Sequence, residues 1–174
     1  KDAGFIKKLP IYIGKKVLVP IIQTNHPHYH HILIIAKSLE LRGAEVKVLL
    51  CGEFLEGCEV KSFKNENYQD PCFICRINAK NILPFYKLST IKLSEILDNQ
   101  LIESIRKKSG QLISQKDHDF YKGINIKKII SDSVQRYYFG DIPKDQEKLD
   151  KVNKSHAFTT LATIEVSSKI YKKW

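Results

Sequence analysis

The chain has 174 residues, of which 43% are hydrophobic and 28% charged, and it carries a formal net charge of +10. This composition excludes collagen-like, low-complexity and disordered chains and is typical of one globular domain. No apolar run approaches the roughly 18 residues that a membrane-spanning helix needs. The N-terminus also lacks the apolar core and cleavage site of a signal peptide. The sequence therefore predicts a cytoplasmic protein.

The positive charge is spread evenly, since both halves of the chain carry the same net charge. An even spread is typical of a solvated surface. The alternative is that the positive charge attracts phosphates or an anionic membrane face. The chain lacks a recognition helix and an interleaved stripe of basic and aromatic residues. We therefore expect no nucleic-acid partner, and we keep peripheral contact with the inner membrane as an expectation.

The first third of the chain predicts a strand, a helix and a second strand. The continuous apolar run from Lys16 to Ile22 is typical of a strand buried on both faces of a parallel sheet. Arg42 and Gly43 predict the end of the helix, and residues 45–50 predict the second strand. Apolar residues at helical spacing define the predicted inner face of the helix: Ile32, Ile35, Ala36 and Leu39. This order predicts an α/β fold with a Rossmann-like parallel sheet.

The remainder predicts an irregular insertion followed by helices. Residues 51–75 lack periodicity apart from a strand candidate at 59–63. Residues 93–105 and 126–137 each carry an apolar stripe, and residues 145–173 predict one long helix or two. The sheet looks unfinished and the chain contains no Met. We therefore expect residues 1–174 to be one domain, the N-terminal part of a longer two-domain protein.

The loop after the first strand is the first candidate site. The loop and the first turn of the helix that follows hold four histidines, His26, His28, His30 and His31, at the carboxyl end of a strand. Open α/β sheets bind ligands there, and the helix N-terminus favours anions. Histidine titrates near neutrality, so one of these side chains can act as a general base, and polar loop residues without such a role are the alternative.

This region resembles the first β-α unit of GT-B glycosyltransferases. The resemblance rests on His28, Ala36, Leu39, the Arg42-Gly43 pair and Val46, although Pro27 stands where the family usually has Gly. It implies that His28 is the catalytic base toward the acceptor hydroxyl, or an acceptor and phosphate contact. It also implies that the rest of the loop binds the acceptor, with these residues in contact: Gln23, Thr24, Asn25, His26 and His30.

Four cysteines form the second candidate site, Cys51, Cys58, Cys72 and Cys75. A Cys-x2-Cys pair with two cysteines upstream can bind a structural zinc ion that clips the 51–75 segment, but the six-residue first spacing exceeds that of zinc ribbons. Two disulfides and four reduced thiols are the alternatives. The sequence leaves all three states open.

The cysteine pattern extends the resemblance to bacterial glycosyltransferases of capsular and surface polysaccharide synthesis. Their Ser-x-x-Arg-Tyr-like segment is matched here at residues 133–137. Arg136 can pair with an acceptor phosphate or carboxylate, and Tyr137 can stack on a sugar. A surface arginine beside a core tyrosine is the alternative.

The resemblance implies a sugar-transferring enzyme with its acceptor-side domain here. A nucleotide-sugar donor would bind mainly to a second domain, and the acceptor would be a glycan or a lipid-linked molecule. The resemblance also implies that catalysis needs no cofactor. We expect the 174 residues alone to be inactive. The alternatives are another α/β sugar-nucleotide enzyme, such as an epimerase, and a zinc-clipped basic module that binds nucleic acid.

Overall fold

The computed structural model describes residues 11–22, 24, 28–58, 70, 72–114, 119–138, 140–142 and 144–173. They include five strands: β1 (Lys16–Ile21), β2 (Glu45–Leu50), β3 (Ser89–Lys92), β4 (Phe120–Tyr121) and β5 (Ile124–Asn125). They also include five α-helices: α1 (His28–Leu41), α2 (Phe73–Tyr86), α3 (Asn99–Ser114), α4 (Ile126–Tyr137) and α5 (Gln146–Lys173). A 3-10 turn covers Leu93–Glu95.

Strands β1, β2 and β3 form a parallel sheet in that order, which confirms the predicted α/β class and the first β-α-β unit. In the register of β1 and β2, Val17 faces Val46 and Val19 faces Val48. Gly43 follows α1 with φ at 93°, the left-handed conformation that lets the chain turn into β2. The predicted end of the helix is therefore confirmed.

The position of the first strand differs from the prediction. Strand β1 lies at an edge of the described sheet, and Val17, Leu18 and Val19 are only partly buried. The central strand is β2, whose consecutive Val48, Leu49 and Leu50 are buried because a central strand is covered on both faces. The apolar run correctly predicts a strand but not its place in the sheet.

The described residues form two compact units. The first contains the described parts of Lys1–Leu50 and Cys75–Ile91, and the second those of Cys51–Ile74 and Lys92–Trp174. The core of the first unit joins α1 and the sheet, with Leu33, Ala36 and Val48 fully buried. The prediction of one domain from a longer protein stays a prediction.

The second unit is helical, as expected for the later part of the chain. Its core lies along α5, where Phe158, Leu161 and Val166 are almost completely buried. Helix α5 is continuous, which decides between the one or two helices predicted for residues 145–173. The predicted stripe at 93–105 is mainly buried, but it is divided between the 3-10 turn and α3. The division occurs at Asp98, because its Oδ1 accepts a hydrogen bond from the N–H of Leu101 at 2.8 Å and so caps the start of α3.

The segment predicted to be irregular is held by packing where it is described. Leu55 is buried and the ring of Phe54 lies 5.8 Å from that of Phe158. Its last residues are helical, since α2 begins at Phe73, which corrects the prediction of irregular chain up to residue 75. Strand β3 and the β4-β5 hairpin were not predicted, and the strand candidate at 59–63 lies outside the described residues.

Candidate functional site

The predicted site begins where β1 ends. Ile21 is the last residue of β1, and α1 begins at His28, so the loop between them lies at the carboxyl end of a parallel strand and at a helix N-terminus. Both features favour the binding of polar and anionic ligands. Three of the predicted acceptor contacts, Gln23, Asn25 and His26, lie outside the described residues.

The packing of α1 determines where its histidines point. Tyr29, Leu33 and Ala36 form the buried face, at the three- and four-residue spacing of a helix. Burial together with Tyr86 raises the pKa of Tyr29, so its hydroxyl stays neutral in the core. The opposite face carries His28 and is open to solvent.

Two exposed histidine rings share this face. The ring centroids of His28 and His31 lie 5.9 Å apart, and the rings are tilted by 46°. His30 is half-buried, and its ring packs 4.2 Å from that of Tyr29. His28, the first residue of the helix, is exposed and can therefore contact a ligand. The ring of His30 packs against Tyr29 and is less accessible.

The rotation of α1 about its axis differs from the prediction, which corrects the predicted inner face of the helix. Ile35 is 60% exposed and Ile32 is 36% exposed, although both were assigned to the apolar stripe that faces the core. The segment has apolar residues on every side, so helical periodicity alone fits more than one rotation of the helix. Contact with the sheet selects the rotation that buries Tyr29 and Leu33.

Thr24 is a buried residue of the loop that forms hydrogen bonds with α2. It is 5% exposed, its Oγ1 donates a hydrogen bond to the backbone oxygen of Cys75 at 2.6 Å, and its own carbonyl accepts one from Asn78 Nδ2 at 2.7 Å. These two bonds tie the loop to α2. Sequence reasoning missed Asn78, because a single Asn in a helix carries no signal of a partner 54 residues away.

Arg136 and Tyr137 lie in the last turn of α4, in the second unit. Arg136 is exposed. The ring of Tyr137 meets those of Tyr138 and His156 edge to face, at 4.9 and 5.5 Å. Arg136 can therefore contact a ligand, whereas Tyr137 is partly engaged in packing. The predicted acceptor contacts at both residues stay predictions.

The four cysteines are all half-buried, and none of them forms a disulfide. Cys51 Sγ accepts a hydrogen bond from the N–H of Leu55 at 3.5 Å, and the N–H of Cys72 donates to Asp70 Oδ1 at 3.0 Å. Within the residues that the structure describes, no three His, Cys, Asp or Glu side chains are grouped so as to hold a metal ion. The structural zinc ion stays a prediction.

A group of charged residues in the second unit has a structural role. Glu165 on α5 accepts hydrogen bonds from Tyr121 Oη and Lys122, the latter at 2.9 Å, and Lys108 Nζ donates to Tyr121 Oη at 3.1 Å. Burial opposes the ionisation of Glu165, but the two hydrogen bonds and the lysine charges outweigh it and lower its pKa. The carboxylate therefore anchors the β4-β5 hairpin to α5.

A cavity of about 430 Å³ also lies in the second unit, between α3, α4 and α5. Its wall is mainly apolar, with Ile126, Ile130 and Leu149, and Asp119 and Lys127 at 2.9 Å form an ion pair in the lining. It contains none of the predicted site residues.

Comparison with known proteins adds no assignment: no family model, curated protein or solved structure matches the chain. Among the described residues, no helix is both long and apolar enough to span a bilayer. The case for a function therefore depends on the site itself.

Proposed function

We propose that the chain is the acceptor-side domain of a GT-B glycosyltransferase that transfers a sugar from a nucleotide-sugar donor to a glycan or lipid-linked acceptor in surface polysaccharide synthesis. The observation that carries this proposal is the position of His28, exposed at the first residue of α1 beside the carboxyl end of β1. The parallel β-α-β unit and the left-handed turn at Gly43 support it, since both fit the first unit of a Rossmann-like sheet.

His28 would serve as the general base in an inverting transfer. Its imidazole accepts the proton of the acceptor hydroxyl while the hydroxyl oxygen forms a bond to the anomeric carbon of the donor sugar. The bond from that carbon to the diphosphate oxygen breaks, and the nucleoside diphosphate leaves with the electron pair. The N-terminus of α1 would favour a phosphate of a lipid-linked acceptor in the same place.

The donor would bind mainly to a second domain. Positive groups on that domain would stabilise the departing diphosphate, so the proposed reaction requires no catalytic metal. The two hydrogen bonds that join Thr24 to α2 would shape the loop that receives the acceptor. On this proposal, the 174 residues alone bind the acceptor but do not transfer sugar.

The test compares the full-length protein with two variants of matched position. We expect His28→Ala to lower kcat by at least about a hundredfold, the usual contribution of a general base. His31→Ala, which removes the neighbouring exposed ring, should leave kcat within a few fold. Transfer from a panel of radiolabelled nucleotide sugars to lipid extracts measures the activity, and thermal unfolding checks that both variants fold.

Three results would contradict the proposal. The first is sugar transfer by the isolated 174 residues, and the second is wild-type transfer by the His28→Ala variant. The third is a full-length protein that transfers no sugar from any donor of the panel.

A further inference from the structure

The cavity in the second unit is formed where three helices meet, and part of its lining is aliphatic. Ile126, Ile130 and Val134 of α4 follow one another at four-residue spacing, so they share one side of that helix, and all three are buried. Leu112 and Ile113, in the last turn of α3, add two more aliphatic side chains. The volume of about 430 Å³ is typical of a pocket for a small molecule.

Helix α5 contributes mainly polar side chains to the same lining. Gln146, Leu149, Asp150 and Asn153 have the spacing of one helix face, and three of these four are polar. From Ala157 onward the buried residues of α5 are all apolar, as expected where a helix packs against other helices. The polar stretch of α5 therefore coincides with the cavity, and an aliphatic pocket with a few convergent polar groups is typical of a ligand site.

The cavity is accessible from solvent. Four residues of its lining are exposed, Lys127, Ser131, Ile142 and Gln146, whereas the isoleucines at 126 and 130 are buried. The lining therefore runs from solvent to the hydrophobic core of the second unit. A small molecule can enter without unfolding a helix.

The charges in the lining do not balance. Lys127 Nζ lies 2.9 Å from Asp119 Oδ1, so these two charges compensate each other. Asp150 Oδ1 accepts a hydrogen bond from Gln146 Nε2 at 2.7 Å, but no basic side chain among the described residues forms an ion pair with Asp150. The lining thus carries one uncompensated negative charge, on a half-buried carboxylate beside aliphatic side chains.

We propose that this cavity binds a small primary amine with an apolar body. The ammonium group would donate hydrogen bonds to the Asp150 carboxylate, which has acceptor capacity beyond its bond with Gln146. Asp150 is half-buried, so the ion pair would keep part of its hydration. The apolar body would cover Ile126 and Ile130 and remove their surface from water.

Other ligand classes match only part of the lining. A carboxylate or a phosphate would face Asp150, while the one lysine of the lining is already paired with Asp119. A small polar cation would leave the aliphatic side chains in water. This inference uses neither His28 nor the loop after β1, so it does not rest on the proposed transferase function.

The test is isothermal titration calorimetry of the chain with four compounds. Tryptamine and 4-phenylbutylamine are apolar amines of different shape, indole-3-propionate has the ring of tryptamine with the opposite charge, and ethanolamine has an ammonium group without an apolar body. We expect both apolar amines to bind at least about tenfold more tightly than the other two compounds, because only they satisfy the carboxylate and the aliphatic wall together.

Two variants place the binding in this cavity. Asp150→Asn keeps the shape of the side chain but removes its charge, and it should weaken binding of tryptamine by about tenfold. Ser131→Phe introduces a large side chain at an exposed position of the lining, and it should weaken binding of both amines by at least as much.

Each variant has a control on the same helix. Glu147→Gln removes a charge from an exposed residue of α5, and Gln135→Phe introduces the same ring at an exposed residue of α4, both outside the lining. Both controls should bind tryptamine like the wild type. Circular dichroism melts verify that every variant is folded.

Any of three results would overturn the proposal. The first is that neither apolar amine binds the wild type. The second is that indole-3-propionate or ethanolamine binds as tightly as tryptamine. The third is that folded Asp150→Asn and Ser131→Phe variants bind tryptamine as the two controls do, which would place the amine elsewhere on the chain.

Discussion

Among the glycines that the structure describes, Gly57 is the one with the least room for a side chain. A Cβ atom added there would lie 2.7 Å from the backbone carbon and oxygen of Ser155 on α5, closer than real Cβ contacts. The same residue exchanges two hydrogen bonds with Thr159: its N–H donates to Oγ1 at 3.1 Å, and its carbonyl accepts from Oγ1 at 2.9 Å. Glycine therefore holds the 51–58 segment against α5.

We predict that Gly57→Ala lowers the free energy of unfolding by about 2 kcal/mol, because α5 or the segment must shift to relieve the clash. The measurement is urea unfolding followed by circular dichroism. Gly110→Ala is the matched control: Gly110 lies inside α3 with open space around its Cα, so alanine should stabilise the helix by about 0.5–1 kcal/mol. Two variants of equal stability would contradict the close approach at Gly57.

His156 is a buried histidine whose titration opposes folding at low pH. It is 4% exposed on α5, and no described residue forms a hydrogen bond with its buried Nε2 atom. Burial disfavours the charged imidazolium and lowers the pKa of His156 in the folded chain. The unfolded chain thus takes up a proton at a higher pH than the folded chain does.

The consequence is a loss of stability as the pH falls. The contribution of neutral His156 is fully present above the unfolded pKa of about 6.5, and it is lost progressively as the pH decreases below that value. We predict that the thermal midpoint decreases from about pH 7.5 to about pH 5, and that His156→Leu reduces this decrease. The solvent-exposed control His31→Leu should keep the wild-type slope. Identical slopes for all three proteins would exclude His156 as the cause.

At the scale of the elements, α2 and the loop after β1 are joined by side-chain hydrogen bonds. Asn78 Nδ2 donates a hydrogen bond to the carbonyl oxygen of Thr24, and Thr24 is buried. We predict that Asn78→Ala costs about 1–2 kcal/mol of unfolding free energy, since it leaves a buried acceptor unsatisfied. Urea unfolding measures the difference.

Asn81→Ala is the control for this prediction. Asn81 lies on the same helix and is exposed, so its replacement changes helix propensity equally but breaks no buried hydrogen bond. It should alter the free energy of unfolding by less than about 0.5 kcal/mol. If Asn78→Ala and Asn81→Ala are equally stable, the bond to Thr24 does not hold the loop.

Elements with strong local signals were predictable, and weaker ones were not. Strand β2 matches its predicted bounds at Glu45–Leu50, because a mostly apolar run with Val46 and Val48, between the turn at Gly43 and a second Gly at position 52, favours a strand locally. Strand β3 and the two-residue strands β4 and β5 have no such run. They form because neighbouring backbone is available for pairing, which a local pattern does not show.

At the scale of the whole molecule, the four half-buried cysteines determine how the chain reacts with alkylating reagents. None of the four is in a disulfide, so the unfolded chain should expose four thiols without added reductant. We predict that alkylation of the unfolded, unreduced chain labels all four. Fewer labelled cysteines, detected by mass spectrometry, would show disulfides that this structure does not contain.

A chelator applied to the folded chain tests the predicted zinc ion. Thiolates that bind zinc react slowly with alkylating reagents, so removal of the metal should accelerate labelling of Cys51, Cys58, Cys72 and Cys75 together. Equal rates before and after chelation, with no zinc detected in the purified chain, would contradict the prediction.

The sequence by itself determined the α/β class and the first β-α-β unit with its turn at Gly43. Each of these depends on residues close together in the chain, whose preferences act before any tertiary contact forms. Only the tertiary structure decided the rotation of α1, the edge position of β1 and the bond between Asn78 and Thr24. These depend on contacts between distant segments, where an apolar helix or strand fits several arrangements and packing selects one.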